Sequence, residues 1–147
     1  MAQVTFEAQA VANSPTGLTV TARGFEMKID EPPSLGGANE GPNPVEYVLA
    51  AIMGCMNVVV HEVAKERGVA LRGLSITARG SLNPAKFMGR PTTDRAGLDD
   101  IEIVLSVDSD ANDDVIAEIV RVAEERCPVS DNLAHPTRLL MSTGRAA

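Results

Sequence analysis

One segment near the middle of the chain constrains the fold more than any other. Residues 48–60 are apolar almost without interruption, and Asn43 and Pro44 stand a few positions before them. An Asn cap, a Pro at the first helical position and Glu46 three residues after the cap are typical of a helix start. The helix is predicted to run to about Arg67 and to end at Gly68. Because it is apolar on most sides, it is expected to be buried, either in the core of one chain or between two subunits.

The pattern around this central helix predicts an α+β fold. Alternating apolar and polar residues predict an antiparallel sheet at residues 4–10, 18–22 and 25–29, and further strands at residues 71–82 and 101–107. Residues 30–41 are predicted to form a loop. A second amphipathic helix begins at residues 110–114 and must stop or kink at Cys127, because the residue before a Pro is displaced from helical geometry. A last strand at residues 137–142 completes the order βββ-α-ββ-α-β, in a single domain of residues 1–147.

Composition and charge narrow the class of function. The 147 residues carry a formal net charge of −7 and only 3% aromatic side chains, so the surface repels phosphate backbones and nucleic acid is not expected as a ligand. The chain opens without a basic region followed by an apolar run, and no stretch is interpreted as long enough for a membrane span, so a cytoplasmic protein is expected. In that compartment two cysteines are candidates for chemistry rather than for a structural disulfide.

Taken by themselves, the two cysteines leave two interpretations open. Cys55 lies inside the apolar helix, where the commoner outcome is an inert thiol, because burial among apolar groups disfavours the thiolate. A nucleophilic Cys55 requires a nearby cation or hydrogen-bond donors, which spacing alone does not supply. Cys127 lies where a helix breaks at Pro128, a suitable place for a partly exposed thiol but also for an ordinary helix-end residue.

Two segments add a resemblance to a known family. Residues 41–46 (Gly-Pro-Asn-Pro-Val-Glu) lead to Gly54 and Cys55, and residues 126–130 read Arg-Cys-Pro-Val-Ser. Both resemble the signature segments of the OsmC/Ohr family, which implies an intertwined homodimer with the thiols at the subunit interface. It also implies reduction of organic hydroperoxides, and to a lesser extent of hydrogen peroxide. Cys55 would attack the peroxide, Cys127 would form a disulfide with it, and an external dithiol such as a dihydrolipoyl group would reset the pair. No metal, flavin or haem is implied.

The chain departs from this family pattern at the residues that assist the thiol. The family places a Glu directly after the Asn-Pro, where this chain has Val45, and Glu46 comes one residue later, about 100° around the helix. Glu46 is therefore either a catalytic residue or the second half of a capping box. The family also uses an Arg from the N-terminal region. Arg23, interpreted as lying in a strand, is the candidate catalytic residue, and Arg90 and Arg95 compete with it.

These departures keep a second function open. With the assisting residues displaced, the same fold would serve as a protein that binds a small hydrophobic molecule or registers oxidation without turnover. The two histidines, His61 and His135, are interpreted as structural, and no Cys or His pair has the short spacing of a zinc site. The acidic residues between 108 and 114 lack the Gly and the final Glu of a calcium loop, so they are interpreted as the start of the second helix.

Overall fold

The computed structural model describes residues 1–144. Contacts within the chain divide it into two compact units, residues 1–50 and the residues from 51 onward. The elements, in chain order, are β1 (Gln9–Ala12), β2 (Leu18–Ala22), β3 (Phe25–Ile29), a 3₁₀ turn (Pro33–Leu35), α1 (Pro44–Glu66), β4 (Gly73–Gly80), β5 (Ile101–Asp108), α2 (Asp113–Arg126) and α3 (Pro128–Ala134). The predicted α+β class is therefore confirmed.

The first unit contains a three-stranded antiparallel sheet in the order β1-β2-β3. Strands β2 and β3 have the predicted bounds and are joined by two residues, Arg23 and Gly24, with φ angles of 50° and 85°. Positive φ at both positions matches the twist of the strands in a tight hairpin. Arg23 thus lies in a turn and not in a strand, which corrects the sequence-based interpretation.

The loop after β3 is organised around a buried carboxylate. Asp30 is 3% exposed, and its side chain accepts hydrogen bonds from the backbone N–H groups of Glu31, Ala38 and Glu40. These bonds, with the Glu40 N–H as the largest cause, lower the pKa of Asp30 below its ordinary value. Gly37 lies so close to the carbonyl oxygen of Glu31 that any side chain at this position would collide with it.

The second unit packs a β-hairpin and two helices around one core. Strands β4 and β5 pair antiparallel, with Gly73 opposite Asp108 and Gly80 opposite Ile101. Their side chains alternate, as predicted, between the core and solvent. Helix α2 begins at Asn112, whose side chain accepts a hydrogen bond from the N–H of Val115. The buried core residues recur mostly at every third or fourth position of the helices: Ile52, Met56, Val60, Val63, Ala64, Ile119, Ala123 and Cys127.

Two sequence-based expectations about the elements need correction, and one helix was not predicted. The first strand forms at Gln9–Ala12, later than residues 4–10. Residues 137–142 pair with neither sheet and form no strand, because alternation alone does not supply the hydrogen-bonding partner that a strand requires. The stretch after Cys127 is instead helix α3, which was not predicted.

The expectation that no segment is long enough for a membrane span also needs correction. Helix α1 has 23 residues and is long and apolar enough to cross a membrane by length and composition alone. A core helix of a water-soluble protein meets the same two criteria. The buried residues of α1 belong to the hydrophobic core described above, so α1 is the core helix of this fold.

Candidate thiol site

Helix α1 places Cys55 at the edge of the core. Ile52 and Met56 are buried and lie on the same side of the helix, since residues three or four positions apart share a face. Cys55 is partly buried beside them, with its thiol free. The apolar surroundings that made Cys55 look inert in the sequence are therefore present, but the sulfur keeps some access to solvent.

The break between α2 and α3 places Cys127. Pro128 occupies the first position of α3, where its missing N–H is not needed. Cys127 adopts an extended conformation, with φ −77° and ψ 111°, and its sulfur accepts a hydrogen bond from the N–H of Ser130 at 3.3 Å. It is 0% exposed. The predicted break is confirmed, and the thiol turns out to be the cap of a further helix.

The fold brings the two sulfurs together. Cys55 Sγ and Cys127 Sγ lie 2.7 Å apart, although the residues are 72 positions apart in the chain. A disulfide bond is about 2.05 Å long, so the two free sulfurs need to move only a short distance to form one. The difference in burial distinguishes them, because Cys55 is partly exposed whereas Cys127 is 0% exposed.

The electrostatic surroundings of Cys55 favour the neutral thiol. Burial is the main cause that raises its pKa above the ordinary value, and the hydrogen bond with Cys127 acts in the same direction. The N–H of Val129, in the first turn of α3, opposes both. No cation within residues 51–144 is among the groups that shift the pKa of this thiol. Within that part of the chain, backbone N–H groups are the donors that face the two sulfurs.

Nearby arginines bind carboxylates instead. Arg126, the residue before Cys127, forms an ion pair with Glu66 at the end of α1 at 2.7 Å. Arg67 pairs with Glu118 of α2 at 3.3 Å. These pairs connect the end of α1 to α2 and help to hold the helix that carries Cys127 against the helix that carries Cys55. Exposed pairs of this kind contribute at most about 1 kcal/mol each.

The structure shows Glu46 as a helix cap. Its carboxylate accepts a hydrogen bond from the N–H of Asn43 at 2.8 Å, and its own N–H donates to the side chain of Asn43 at 2.9 Å. This is the reciprocal pattern of a capping box. Of the two interpretations of Glu46, the structural one is therefore observed, and the catalytic one stays a prediction.

The other arginines and histidines considered in the sequence lie in four other places. Arg23 is exposed, with its guanidinium 5.7 Å from the ring centre of Phe25 in the first unit. Arg90 and Arg95 lie in the exposed connection between β4 and β5. His61 contacts the carbonyl oxygen of Asn57 at 2.7 Å. His135 contacts the main chain and the carboxylate of Asp131, so the contacts of both histidines are local ones along the chain.

Sequence reasoning missed the backbone donors of α3. The N–H groups of Val129 and Ser130 each face one of the two sulfurs. The signal was present in the order Cys127, Pro128, Val129, Ser130. A Pro is favoured at the first position of a helix, and the residue before it is then the cap, whose side chain accepts from the second or third N–H.

Comparison with known proteins identifies the family. A family model described as OsmC-like protein matches residues 37–141, well over half of the chain. The chain belongs to the OsmC-like family. The resemblance noted in the sequence is thereby confirmed. No curated protein matches the sequence.

Solved structures show the same OsmC-like fold. The OsmC-like protein from Mycoplasma pneumoniae is 20% identical, with a TM-score of 0.79, and the match covers 92% of this chain and 91% of that one. An organic hydroperoxide resistance protein OsmC from Legionella pneumophila is 24% identical, with a TM-score of 0.63 and coverage of 90% and 91%. An organic hydroperoxide resistance protein from Elizabethkingia anophelis, with thiocyanate bound, is 19% identical, with a TM-score of 0.67 and coverage of 92% and 91%. At these identities the likeness establishes the fold.

Proposed function

We propose that this OsmC-like protein is a thiol-dependent peroxidase that reduces organic hydroperoxides, and hydrogen peroxide less well. The observation that carries the proposal is the pair of free sulfurs 2.7 Å apart, one of them partly exposed and the other buried. Membership of the family, and neighbours named organic hydroperoxide resistance proteins, support the choice of substrate.

The difference in exposure supports separate roles for the two cysteines. The Cys55 thiolate attacks the terminal oxygen of the hydroperoxide, the O–O bond breaks, and the departing alkoxide takes a proton from solvent and leaves as an alcohol. The product at Cys55 is a sulfenic acid. Cys127 then attacks the Cys55 sulfur, a disulfide forms and water leaves. An external dithiol reduces the disulfide to two thiols and is itself oxidised to a disulfide.

The backbone donors of α3 support this chemistry. Because the Val129 N–H lowers the pKa of the Cys55 thiol, it favours the attacking thiolate. The opposing effect of burial is larger, so thiolate formation at neutral pH needs an additional cation. Arg23, which the family pattern favours for this role, is our first candidate, with Arg90 and Arg95 as alternatives.

An exposed apolar face of α1 supports a homodimer. Ala51, Gly54 and Val58 lie at three- and four-residue spacing on α1 and are exposed in the single chain, Val58 to 59%. Apart from Gly54 itself, its two neighbours and the nearby backbone of α1, no atom of residues 1–144 lies within 4 Å of the position that a Cβ on Gly54 would take. An apolar helix face with a Gly at its centre suits close packing against another helix. We propose that a second copy covers this face, as the family resemblance implies, and that the dimer works in the cytoplasm, where free thiols persist.

The first experiment is a turnover assay with cumene hydroperoxide and dihydrolipoamide, with the thiol state followed by intact mass. Turnover that requires Cys55, with a loss of two mass units on oxidation, is the expected result. Cys55→Ser should abolish consumption, and Cys127→Ser should allow one turnover that stops at a sulfenic acid. Equal activity in both variants would contradict the assigned roles. A monomer in gel filtration at micromolar concentration would contradict the dimer.

One observation favours a second candidate function. The pKa of the Cys55 thiol is raised, and no cation of residues 51–144 contributes to it. A thiol of this kind reacts slowly with peroxide, which favours a protein that binds a small hydrophobic molecule. No consumption of hydroperoxide while both thiols stay reduced would identify this second function. Oxidation of the pair by one equivalent of peroxide, without continued consumption in the presence of dithiol, would instead identify a protein that registers oxidation.

A further inference from the structure

The last turn of α2 carries Cys127, and little apolar surface holds that turn in place. Ala123 and Cys127 are buried, whereas residues 124–126 between them are exposed. The side chain of Ala123 is a single methyl group, so its burial stabilises the turn by only a small amount. The apolar core alone therefore fixes this end of α2 weakly, although the Cys127 sulfur must stay 2.7 Å from the Cys55 sulfur.

An ion pair links this turn to the helix that carries Cys55. Arg126, the last residue of α2, meets Glu66, the last residue of α1, with 2.7 Å between Nη1 and Oε2. Neither side chain takes part in another ion pair within residues 1–144. Because Arg126 directly precedes Cys127, their Cα atoms are about 3.8 Å apart. Any contact that holds Arg126 to α1 therefore also restrains Cys127.

Glu66 occupies a position that α1 by itself disfavours for a carboxylate. The C-terminal end of a helix carries partial negative charge, so a cation stabilises it and an anion does not. Lys65 agrees with this rule, whereas Glu66 beside it does not. Arg126, at the C-terminal end of α2, supplies the cation that faces the Glu66 carboxylate. The contact with α2 therefore accounts for a charge that α1 alone does not favour.

A second ion pair joins the same parts of the chain farther from the sulfurs. Arg67, directly after α1, pairs with Glu118 of α2 at 3.3 Å. Glu118 precedes Cys127 by nine residues, which is about 13 Å along α2. Both ion pairs are partly exposed, so each contributes a similar small stabilisation. The two pairs therefore differ mainly in their distance from Cys127.

We propose that Glu66 and Arg126 are positioning residues for the disulfide step, and that their ion pair holds the Cys127 sulfur at the Cys55 sulfur. The proposal rests on the proposed peroxidase function, in which Cys127 attacks the Cys55 sulfenic acid, the disulfide forms and water leaves. Holding two reacting groups together raises the effective concentration of one at the other. Glu66 follows Cys55 by eleven residues, about 16 Å along α1, so it acts through the backbone of α2 and not on the sulfurs.

The equilibrium between the two thiols and their disulfide tests the proposal. The protein is equilibrated with reduced and oxidised glutathione, and intact mass after an acid quench gives the fraction of disulfide. One glutathione disulfide is reduced to two glutathione thiols as the protein dithiol is oxidised, so the equilibrium constant reports the effective concentration of Cys127 at Cys55. The variants are Glu66→Gln and Arg126→Gln. Arg67→Gln is the matched control, because it breaks the ion pair that lies farther from Cys127.

We expect the equilibrium constant to fall about two- to fivefold at low salt in Glu66→Gln and in Arg126→Gln, the range that an exposed ion pair allows. The difference from the wild type should shrink at high salt, because salt screens exposed charges. Arg67→Gln should leave the equilibrium constant unchanged. An unchanged constant in both Glu66→Gln and Arg126→Gln, or an equal fall in Arg67→Gln, would overturn the proposal.

Exchange of the two charges tests whether the ion pair itself is responsible. Glu66→Arg places two cations face to face, so it should lower the equilibrium constant further than Glu66→Gln does. The double variant, Glu66→Arg with Arg126→Glu, restores opposite charges and should recover most of the wild-type constant. A double variant with a constant no higher than that of Glu66→Arg would overturn the proposal.

A measurement with peroxide connects the ion pair to the reaction. With cumene hydroperoxide and dimedone present, the Cys55 sulfenic acid is either trapped by dimedone or converted to the disulfide. The ratio of trapped protein to disulfide should rise about two- to fivefold in Glu66→Gln and not in Arg67→Gln, and an unchanged ratio in Glu66→Gln would overturn the proposal. If the wild type reduces no hydroperoxide, the peroxidase function fails, and the glutathione equilibrium still decides whether the ion pair positions Cys127.

Discussion

Cys127 has two separable roles in this structure, as partner of the Cys55 sulfur and as the cap of α3, and two substitutions distinguish them. In the wild type, the Cys127 sulfur accepts a hydrogen bond from the Ser130 N–H at 3.3 Å. Cys127→Ser keeps a side-chain acceptor for this hydrogen bond. Cys127→Ala removes that acceptor from a position that is 0% exposed. Loss of a helix cap costs about 1 kcal/mol, and the space left by a buried sulfur adds about 1 kcal/mol more. Cys127→Ala should therefore be about 1–2 kcal/mol less stable than the reduced wild type, with Cys127→Ser between them.

Urea unfolding of the reduced proteins measures this difference, and hydroperoxide consumption measures the other role. Both substitutions remove the second sulfur, so both should consume about one equivalent of cumene hydroperoxide and then stop. Equal stability of the Ser and Ala variants would show that the cap contributes nothing. Continued turnover at the wild-type rate in either variant would show that the 2.7 Å approach of the sulfurs has no part in the reaction.

Three further predictions concern pH and backbone geometry. Burial is the main cause that raises the pKa of Cys55 above its ordinary value, so its rate of alkylation by iodoacetamide should keep rising with pH through the range in which an ordinary thiol levels off. The stability that the neutral thiol contributes should be lost as pH rises through the folded-state pKa. An alkylation midpoint below about 8 would mean that a cation faces the sulfur. Hydrogen bonding to Arg121 is the main cause that lowers the pKa of Glu118 from 4.5 to about 2. The contribution of the Glu118 carboxylate to stability should therefore be present above pH 4.5 and lost as pH falls through 2. The difference in urea midpoint between wild type and Glu118→Gln should shrink on acidification, and a constant difference would contradict this prediction. Gly37→Ala should destabilise the protein by about 2–3 kcal/mol in urea unfolding, because its Cβ collides with the Glu31 carbonyl oxygen, whereas an unchanged midpoint would mean that the loop rearranges freely.

Local signals in the sequence were sufficient for several elements. The Asn43 cap, Pro44 and Gly68 predicted both ends of α1, which runs over Pro44–Glu66. The alternation of residues predicted β2 and β3 with their observed bounds. Pro128 predicted the end of α2 at Arg126. Each of these features depends on side chains only a few residues apart in the chain, so the local sequence is sufficient to predict it.

Other features depended on residues that are distant in the chain. A strand at residues 137–142 was predicted from its pattern, but a strand also needs a partner, and within residues 1–144 these residues pair with no other strand. The pattern around Glu46 left capping and catalysis equally open, and the hydrogen bonds with Asn43 showed the cap. Arg23 was placed in a strand because its neighbours alternate, whereas the pairing of Ala22 with Phe25 puts it in the turn.

The sequence by itself determined the family and the α+β class, and it identified the two cysteines as candidates for chemistry, because motifs and periodicity are properties of neighbouring residues. Only the tertiary structure decided that the two sulfurs meet, since their 2.7 Å separation results from packing α1 against α2 across 72 residues of chain. It also decided that Cys127 is buried while Cys55 keeps some exposure. The physical reason is that burial and distance are set by which surfaces pack together, and this packing is the combined result of contacts that no single segment of the sequence contains.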